Sequence, residues 1–532
     1  MGFDFSSEER RQLGYRLIDR IDKYYASLDN RPIQPPAAQR AAAYAPLELP
    51  EFGADATRVL DELCREMIDK GFHIPSANYF GLMNPTPTYM AVLAEALVAA
   101  LNPQLASVAR SQFASTLEAE TVGWIASRFG WHKASATAPD SAHPTSANGG
   151  QIWATKPDLT SVKSGQIWGA TAETNLPLCD GTFTSGGNES NFTALALAIS
   201  HRFPNAIEDG IATIGARPVF YASSESHHSL EKSAGLLGLG RKSLRRIPVN
   251  DSLRLDTARL ILQIEFDQAC GFVPFCIVAT AGTTNSGAID DLNALASIAE
   301  RYGMWLHVDG AYGAAAAFSD KYRGLLKGIE RADSITVDPH KWLAMPFAAG
   351  VVLTRHPELL EHTFSVASPY MPRAERSGMV DNFKISAQWS RRMNSLKLWL
   401  TLRVHGRKSY EEMIERQMQL ASQMREWIEE SDYFEMAAAQ TLPILNFRLR
   451  GVSGVPNEPA VGLLGSDSEA EAAHRQFIAE LNHDGRYWIS ATHVRGKSVL
   501  RMMIISYLST AEHLAGLQEA LQSAAQRVAL HV

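Results

Sequence analysis

Trp305-Leu306-His307-Val308-Asp309-Gly310-Ala311-Tyr312 and, about thirty residues on, Ser334-Ile335-Thr336-Val337-Asp338-Pro339-His340-Lys341-Trp342 are the stretches on which the reading of this chain turns. Each opens with a short run rich in apolar and β-branched residues and closes on an acid, the pattern of a buried strand feeding a loop. Working outward, strand-like runs also fall at 218–222 and 275–279, and helical stretches at 191–202, 292–302 and 322–329. Strand–helix alternation over about 182–354 predicts a largely parallel sheet covered by helices.

The flanks read differently. Leu13, Leu17, Ile21, Tyr24 and Leu28 make one stripe of a 3.6-residue period, with Ser7 as cap and Glu8 and Glu9 in the first turn. A Pro- and Ala-rich stretch at 31–50 reads as an arm that packs on something else or stands in solvent. Helices are expected at 89–101, ended by Asn102-Pro103, and at about 112–129. A Ser/Thr/Ala/Gly-rich stretch at 133–172, in which GQIWAT nearly recurs as GQIWGAT, reads as an inserted surface loop. Beyond Arg391 a long helical segment (395–430) leads to strands near 444–449 and 499–505, a smaller α+β domain. The expected division is 1–88, a helical N-terminal arm; 89–355, a large α/β domain carrying the insertion; and 356–532, the small domain.

A length of 532 residues suits two or three domains, and 45% hydrophobic with 20% charged residues is an ordinary globular composition. A net charge of −7 argues against nucleic acid and anionic membranes as partners. No apolar run reaches the ~18–20 residues of a membrane span, and the charged start MGFDFSSEERRQLGYR has no signal-peptide core. Four cysteines (Cys64, Cys179, Cys270, Cys276) without CxxC spacing fit a reducing compartment, so a cytoplasmic location is expected.

In a parallel α/β sheet, ligands sit at the C-terminal strand ends, and four loops there carry chemistry. Thr184-Ser185-Gly186-Gly187-Asn188-Glu189-Ser190-Asn191 runs straight into a helix; glycines at a helix N-terminus let N–H groups approach an anion. Glycine turns that open helices are common, and this one is neither a GxxxxGK[ST] loop nor a GxGxxG fingerprint. Ser226-His227-His228-Ser229 offers an imidazole to stack on a flat ring, although a surface histidine is the commoner case, and no HExxH accompanies it to bind metal. Asp309, at the end of an apolar strand, is either a helix cap or a carboxylate awaiting a cation. Lys341, after a strand and between His and Trp, is either a solvated lysine or an amine that forms a Schiff base. Taken together, the lysine, the acid, the anion cradle and the ring-stacking histidine are the parts that pyridoxal 5'-phosphate requires.

With these residues in view the chain resembles the group II pyridoxal-phosphate decarboxylases, the family of aromatic-L-amino-acid, glutamate and related decarboxylases. The resemblance rests on FTSGGNES, SESHHSLEK, ATAGTTNSGAIDDL, WLHVDGAYG, ADSITVDPHKW, SRRMNSLKLW and THVRGKSVLRM, in that order, and spans about 13–521. It implies the type I aminotransferase-like fold of the pyridoxal-phosphate-dependent transferases. That fold has a mostly parallel seven-stranded sheet in a large α/β domain, a helical N-terminal segment and a small α+β C-terminal domain. It implies that Lys341 attaches the cofactor aldehyde, that Asp309 pairs with the ring nitrogen and that His227 stacks on the ring and faces the substrate carboxylate. Gly187 and Asn188 would hold the phosphate, helped by Asp338 and His340, while Thr284 and Ala311 would line the ring. A homodimer with the active site at the interface, and decarboxylation of an L-amino acid, aromatic or related, to amine and CO2, follow from the same resemblance.

Three departures from the family pattern bear on the reaction. Relatives carry a tyrosine on a mobile loop that returns a proton to Cα; here the corresponding stretch is read as 381–385, with Phe383 in that place and no tyrosine between Tyr370 and Tyr410. A phenylalanine there would favour oxidative deamination to an aldehyde. Leu82, Met83 and Asn84 stand where aromatic-specific relatives have Tyr-Phe-Pro, and 102–106 is small and polar, which opens the alternative of an acidic or diamino acid substrate. The insertion precedes the phosphate loop. Arg501 is a candidate for a substrate carboxylate or a structural residue.

Overall fold

The computed structural model describes residues 3–35, 49–133, 178–368, 379–450 and 467–529. The 133–172 insertion, apart from Lys133, and most of the 31–50 arm lie outside these residues.

The central sheet is ordered β1 (His132–Lys133), β2 (Leu178–Thr184), β8 (Gly350–Thr354), β7 (Ser334–Val337), β6 (Trp305–Asp309), β5 (Val273–Thr280), β3 (Pro218–Ser223) and β4 (Leu244–Ile247). Strands β4, β3, β5, β6 and β7 run parallel, and β8 is antiparallel to both its neighbours. The seven expected strands are β2 to β8; the two-residue β1 adds an eighth at the edge. Burial of both faces explains why most strands read as near-continuous apolar runs. Asp309 is the last residue of β6, as the sequence pattern predicts.

Helix α1 (Ser7–Ser27) is capped by Ser6 rather than Ser7: the Ser6 hydroxyl accepts from Glu9 N–H and the Glu9 carboxylate accepts from Ser6 N–H, closing a capping box. It pairs with α2 (Ala56–Lys70) through Arg16, whose Nε lies 2.8 Å from Asp61 Oδ1. Helix α3 (Tyr89–Leu101) ends at Asn102 in the left-handed conformation, the stop expected of an Asn before Pro. Helix α4 (Val108–Arg128) starts earlier than its expected 112 and bends at Ser111. The helix expected at 322–329 is instead two 3₁₀ turns, Arg323–Leu326 and Ile329–Arg331. Gly328 separates them at φ +99°, so close to Asn293 that a Cβ would lie 2.5 Å from its backbone nitrogen.

Helix α5 (Gly187–Arg202) lies across the central strands, with its N-terminus at their C-terminal ends. The long helix Ser395–Glu430 packs on α3 and α4 and then reaches a second, antiparallel sheet. That sheet is ordered β11 (Ser490–Val494), β12 (Lys497–Met503), β10 (Ile444–Leu449), β9 (Phe434–Met436). No helix among the described residues is long and apolar enough to cross a membrane.

One buried ion pair fixes the strand that leads into the glycine loop. Arg391 and Glu118 are almost fully enclosed, with Nη2 2.6 Å from Oε1. The same guanidinium donates to Phe183 O at 2.8 Å and Thr182 Oγ1 at 2.5 Å, tying α4 to β2. Removing one member leaves the other charge buried and alone, which costs ~3–5 kcal/mol. Glu118→Ala is therefore expected to lower the denaturant midpoint by a corresponding amount; an unchanged midpoint would show that this pair does not hold β2.

Candidate active site

A cavity of about 360 Å³ opens where β2, β5, β6 and β7 end. Lys341, Asp309, His227, Gly187, Asn188, Thr284, Ala311, Asp338 and His340 all line it, although they come from separate stretches of sequence. Phe383 does not line it: it is buried in a 3₁₀ turn, its N–H donating to Ala106 O and its ring 4.6 Å from that of Trp389.

The glycine loop is shaped for an anion. Gly186 stands at φ +147°, where a Cβ would meet His340 Cε1 at 2.9 Å; at Gly187 it would meet Asp338 Oδ2 at 2.8 Å and Ala311 Cβ at 3.1 Å. Side chains would fill this space, so the glycines keep it open beside the first N–H groups of α5, which have no acceptor within the helix. Glu189, an acid in that turn, also borders the cavity, and its carboxylate accepts from Ser185 N–H and from Gln388 Nε2.

Lys341 Nζ lies 3.2 Å from Asp338 Oδ2. Asp338 is buried, and its other oxygen, Oδ1, has no hydrogen-bond partner among the described residues. A carboxylate offers no donor to a phosphate, and the partner this one has is the lysine. His227 opens onto the cavity; its Nδ1 accepts from Ser229 N–H at 3.1 Å, which leaves the ring proton on Nε2. Burial by the surrounding protein, and secondarily the positive charge of Lys341, hold its pKa below the usual histidine value of 6.5, partly offset by Asp309. The neighbouring His228 points outward and pairs with Glu231.

Asp309 is held from two sides. Oδ1 accepts from Ala311 N–H at 3.2 Å, and Oδ2 accepts from Asn191 Nδ2 at 2.7 Å. The sequence reading did not single out Asn191, although the residue closes the quoted glycine loop; a polar residue at the start of an otherwise apolar helix was the available signal. Also unforeseen was Phe347, whose ring lies 4.7 Å from that of His340 at the cavity rim. Its segment is gripped by the buried Lys397, which donates to Ala348 O at 2.7 Å and pairs with Glu95 at 2.7 Å. Arg501 is buried, donating to Thr284 O at 3.0 Å and Ser490 Oγ at 3.1 Å. Of the substrate-side candidates, Leu82 is exposed, Met83 is buried in the core, and Leu105 and Ala106 are buried. Tyr79 stacks on Trp488 at 5.4 Å beside them.

An open anion cradle, an amine steadied by an acid, and a second acid tied down at a strand end fit pyridoxal 5'-phosphate, and among the described residues no cluster suited to a metal ion occurs. Comparison with known proteins agrees. The pyridoxal-dependent decarboxylase conserved domain matches residues 159–450. The aromatic-L-amino-acid decarboxylase of Bacillus atrophaeus is 29% identical over 99% of this chain and 97% of that protein. Human histidine decarboxylase is 27% identical over 95% of this chain and 69% of that protein. Among solved structures, Oryza sativa TDC with PLP and tryptamine superposes with a TM-score of 0.83 at 23% identity, covering 99% of each chain. Mouse CSAD gives a TM-score of 0.81 at 22% identity, covering 98% of this chain and 99% of that one. The chain thus belongs to the pyridoxal-dependent decarboxylases, as a carboxy-lyase that removes CO2 from an amino acid with pyridoxal 5'-phosphate as its cofactor.

Proposed function

We propose that the substrate is an L-amino acid, aromatic or related, converted to its amine plus CO2, and that the cavity residues divide the work of that reaction among them. The observation that supports this most is the meeting of Lys341, Asp309 and His227 with the glycine cradle in one cavity. When bound, the cofactor supplies an electron-poor ring that takes up the electron pair left by departing CO2. Lys341 is the amine for its aldehyde, steadied by Asp338 Oδ2 at 3.2 Å. Asp309 stabilises a proton on the ring nitrogen, and Gly187 and Asn188 hold the phosphate through their N–H groups. His227, neutral at physiological pH because its pKa is depressed, lends an uncharged face to the ring and its Nε2–H to the substrate carboxylate. Thr284, Ala311 and His340 complete the walls. Apolar wall residues such as Ala311 and Phe347 penalise the charged substrate carboxylate more than a dispersed charge, which favours loss of CO2.

The second reading, an acidic amino acid, is favoured by Arg501, whose buried guanidinium has only neutral acceptors and no carboxylate partner among the described residues. Human cysteine sulfinic acid decarboxylase is 35% identical over 48% of this chain and 52% of that protein, which is in keeping with it. No observation favours the aldehyde-forming reading: within one chain Phe383 packs on Trp389, outside the cavity.

A homodimer, with the site completed at the interface, is part of the proposal. It is supported by exposed apolar side chains on paired helices, Leu17 and Ile18 on α1 with Val59, Leu63 and Met67 on α2. Of the division at 88 and 355, the boundary at 355 is supported by the two sheets on either side of it. A cytoplasmic setting is supported by four cysteines that are all free.

Screening the common amino acids, with DOPA, cysteine sulfinate and 2,4-diaminobutyrate, for CO2 release is expected to single out aromatic substrates, with amine formed and no peroxide. Preferential turnover of an anionic side chain would move the assignment to the second reading, and stoichiometric peroxide would overturn amine formation. By light scattering the protein is expected to have twice the mass of one chain, and Leu63→Glu combined with Met67→Glu to halve that mass and suppress activity. A wild-type mass of one chain would end the dimer reading.

A further inference from the structure

Strand β6 has an unusual inner face. Trp305, His307 and Asp309 alternate onto one side of it, and β7 sets Ser334 and Thr336 opposite His307 and Asp309. In a strand buried on both faces, three polar or partly polar side chains in a row must satisfy one another. They do so through Asn191 of α5.

Asn191 Nδ2 donates to Asp309 Oδ2 at 2.7 Å and to Ser229 Oγ at 3.0 Å. An amide that turns its NH₂ toward a carboxylate presents its oxygen on the other side, where Thr336 Oγ1 donates at 2.9 Å and His307 Nε2 lies 3.0 Å away. His307 must therefore carry its proton on Nε2, leaving Nδ1 to accept from Ser334 Oγ at 2.8 Å. Ser334 Oγ in turn accepts from Trp305 Nε1 at 2.9 Å. Complete burial keeps His307 neutral, with its pKa pulled down to about 4. All members are buried, and every donor in the series points the same way: Trp305 to Ser334, Ser334 to His307, His307 to Asn191, Asn191 to Asp309.

We infer that Asn191, held by His307 and Thr336, is a positioning residue that fixes the rotation of the Asp309 carboxylate and thereby the protonated state of the cofactor ring nitrogen. The amide occupies Oδ2, so that oxygen is always an acceptor and the carboxylate cannot turn to carry a proton there. Oδ1, which accepts only from Ala311 N–H, keeps a lone pair free. This inference rests on the proposed role of Asp309, and a one-directional series of donors strengthens each of its links.

The test uses holoenzyme loaded with pyridoxal phosphate labelled with ¹⁵N in the ring, with steady-state kinetics alongside. Wild type is expected to show the ring-nitrogen signal of a protonated pyridine. Asn191→Leu, similar in size but unable to donate, is expected to move that signal toward the unprotonated value. It should also lower kcat on the order of 10- to 100-fold, the size of effect found for partners that orient metal ligands, with KM changed far less. Asn191→Asp is expected to keep the protonated signal in acid, where the new carboxyl holds a proton and still donates, and to lose it as pH rises and two carboxylates face each other. A wild-type ring signal and kcat in Asn191→Leu would overturn the inference. Should that variant not fold, a pH-independent ring signal in Asn191→Asp would do the same. Asp309→Asn separates the two levels: if it keeps the protonated-ring signal, the role of Asp309 itself is wrong. If it loses the signal while Asn191→Leu keeps it, only the role of Asn191 falls.

Discussion

The proposed chemistry depends on holding an acid, Asp309, at the end of a strand that is buried on both sides. An isolated buried charge is costly enough that a protein ordinarily neutralises it. Here the cost is met by two donors, Ala311 N–H and Asn191 Nδ2, and by a cavity that opens in front of the group. The parallel sheet makes this possible: it puts the acid at a C-terminal strand end, where the loops of β2, β5 and β7 converge. The same sheet sets Lys341 one strand away from the acid, on the loop that follows β7.

Around that centre the structure uses charges as clamps. Arg391 ties β2 to α4 through Glu118. Lys397 grips the segment that carries Phe347, and Asp290, buried beside the C-terminal end of β5, accepts from Thr280 and Leu255 N–H and is pushed up to about 6 by its burial. Arg501 links the small sheet to the loop of Thr284. In each case a charged residue fixes a segment some way along the chain, which is how one cavity is assembled from pieces far apart in the sequence.

Much of this was legible in the sequence because rare chemistry sits at strand ends. An acid closing an apolar strand, a lysine after a second such strand and glycines ahead of a helix are each weak signs, but only a few cofactors need all of them. The strands at 218–223, 305–309 and 334–337 and the end of α3 were readable for the same reason, since apolar runs and an Asn-Pro stop are local signals. What escaped notice was non-local. Asn191 and Asp309 are 118 residues apart, and Glu118 and Arg391 are 273 apart; nothing in either neighbourhood names the other. The shift of the cap from Ser7 to Ser6 turned on a one-residue register, and the 3₁₀ turns at 323–331 on a close approach of Gly328 to Asn293. Phe383 was matched to a loop through the family resemblance, and its packing on Trp389 is likewise not written in the neighbouring residues.

The most direct measurement is to load the protein with pyridoxal phosphate, reduce it with borohydride and map the modified peptide. The account predicts a visible band that the reductant bleaches and a single pyridoxyl group on the side chain of Lys341. Attachment at another lysine, or a protein that stays colourless with the cofactor in excess, would contradict it.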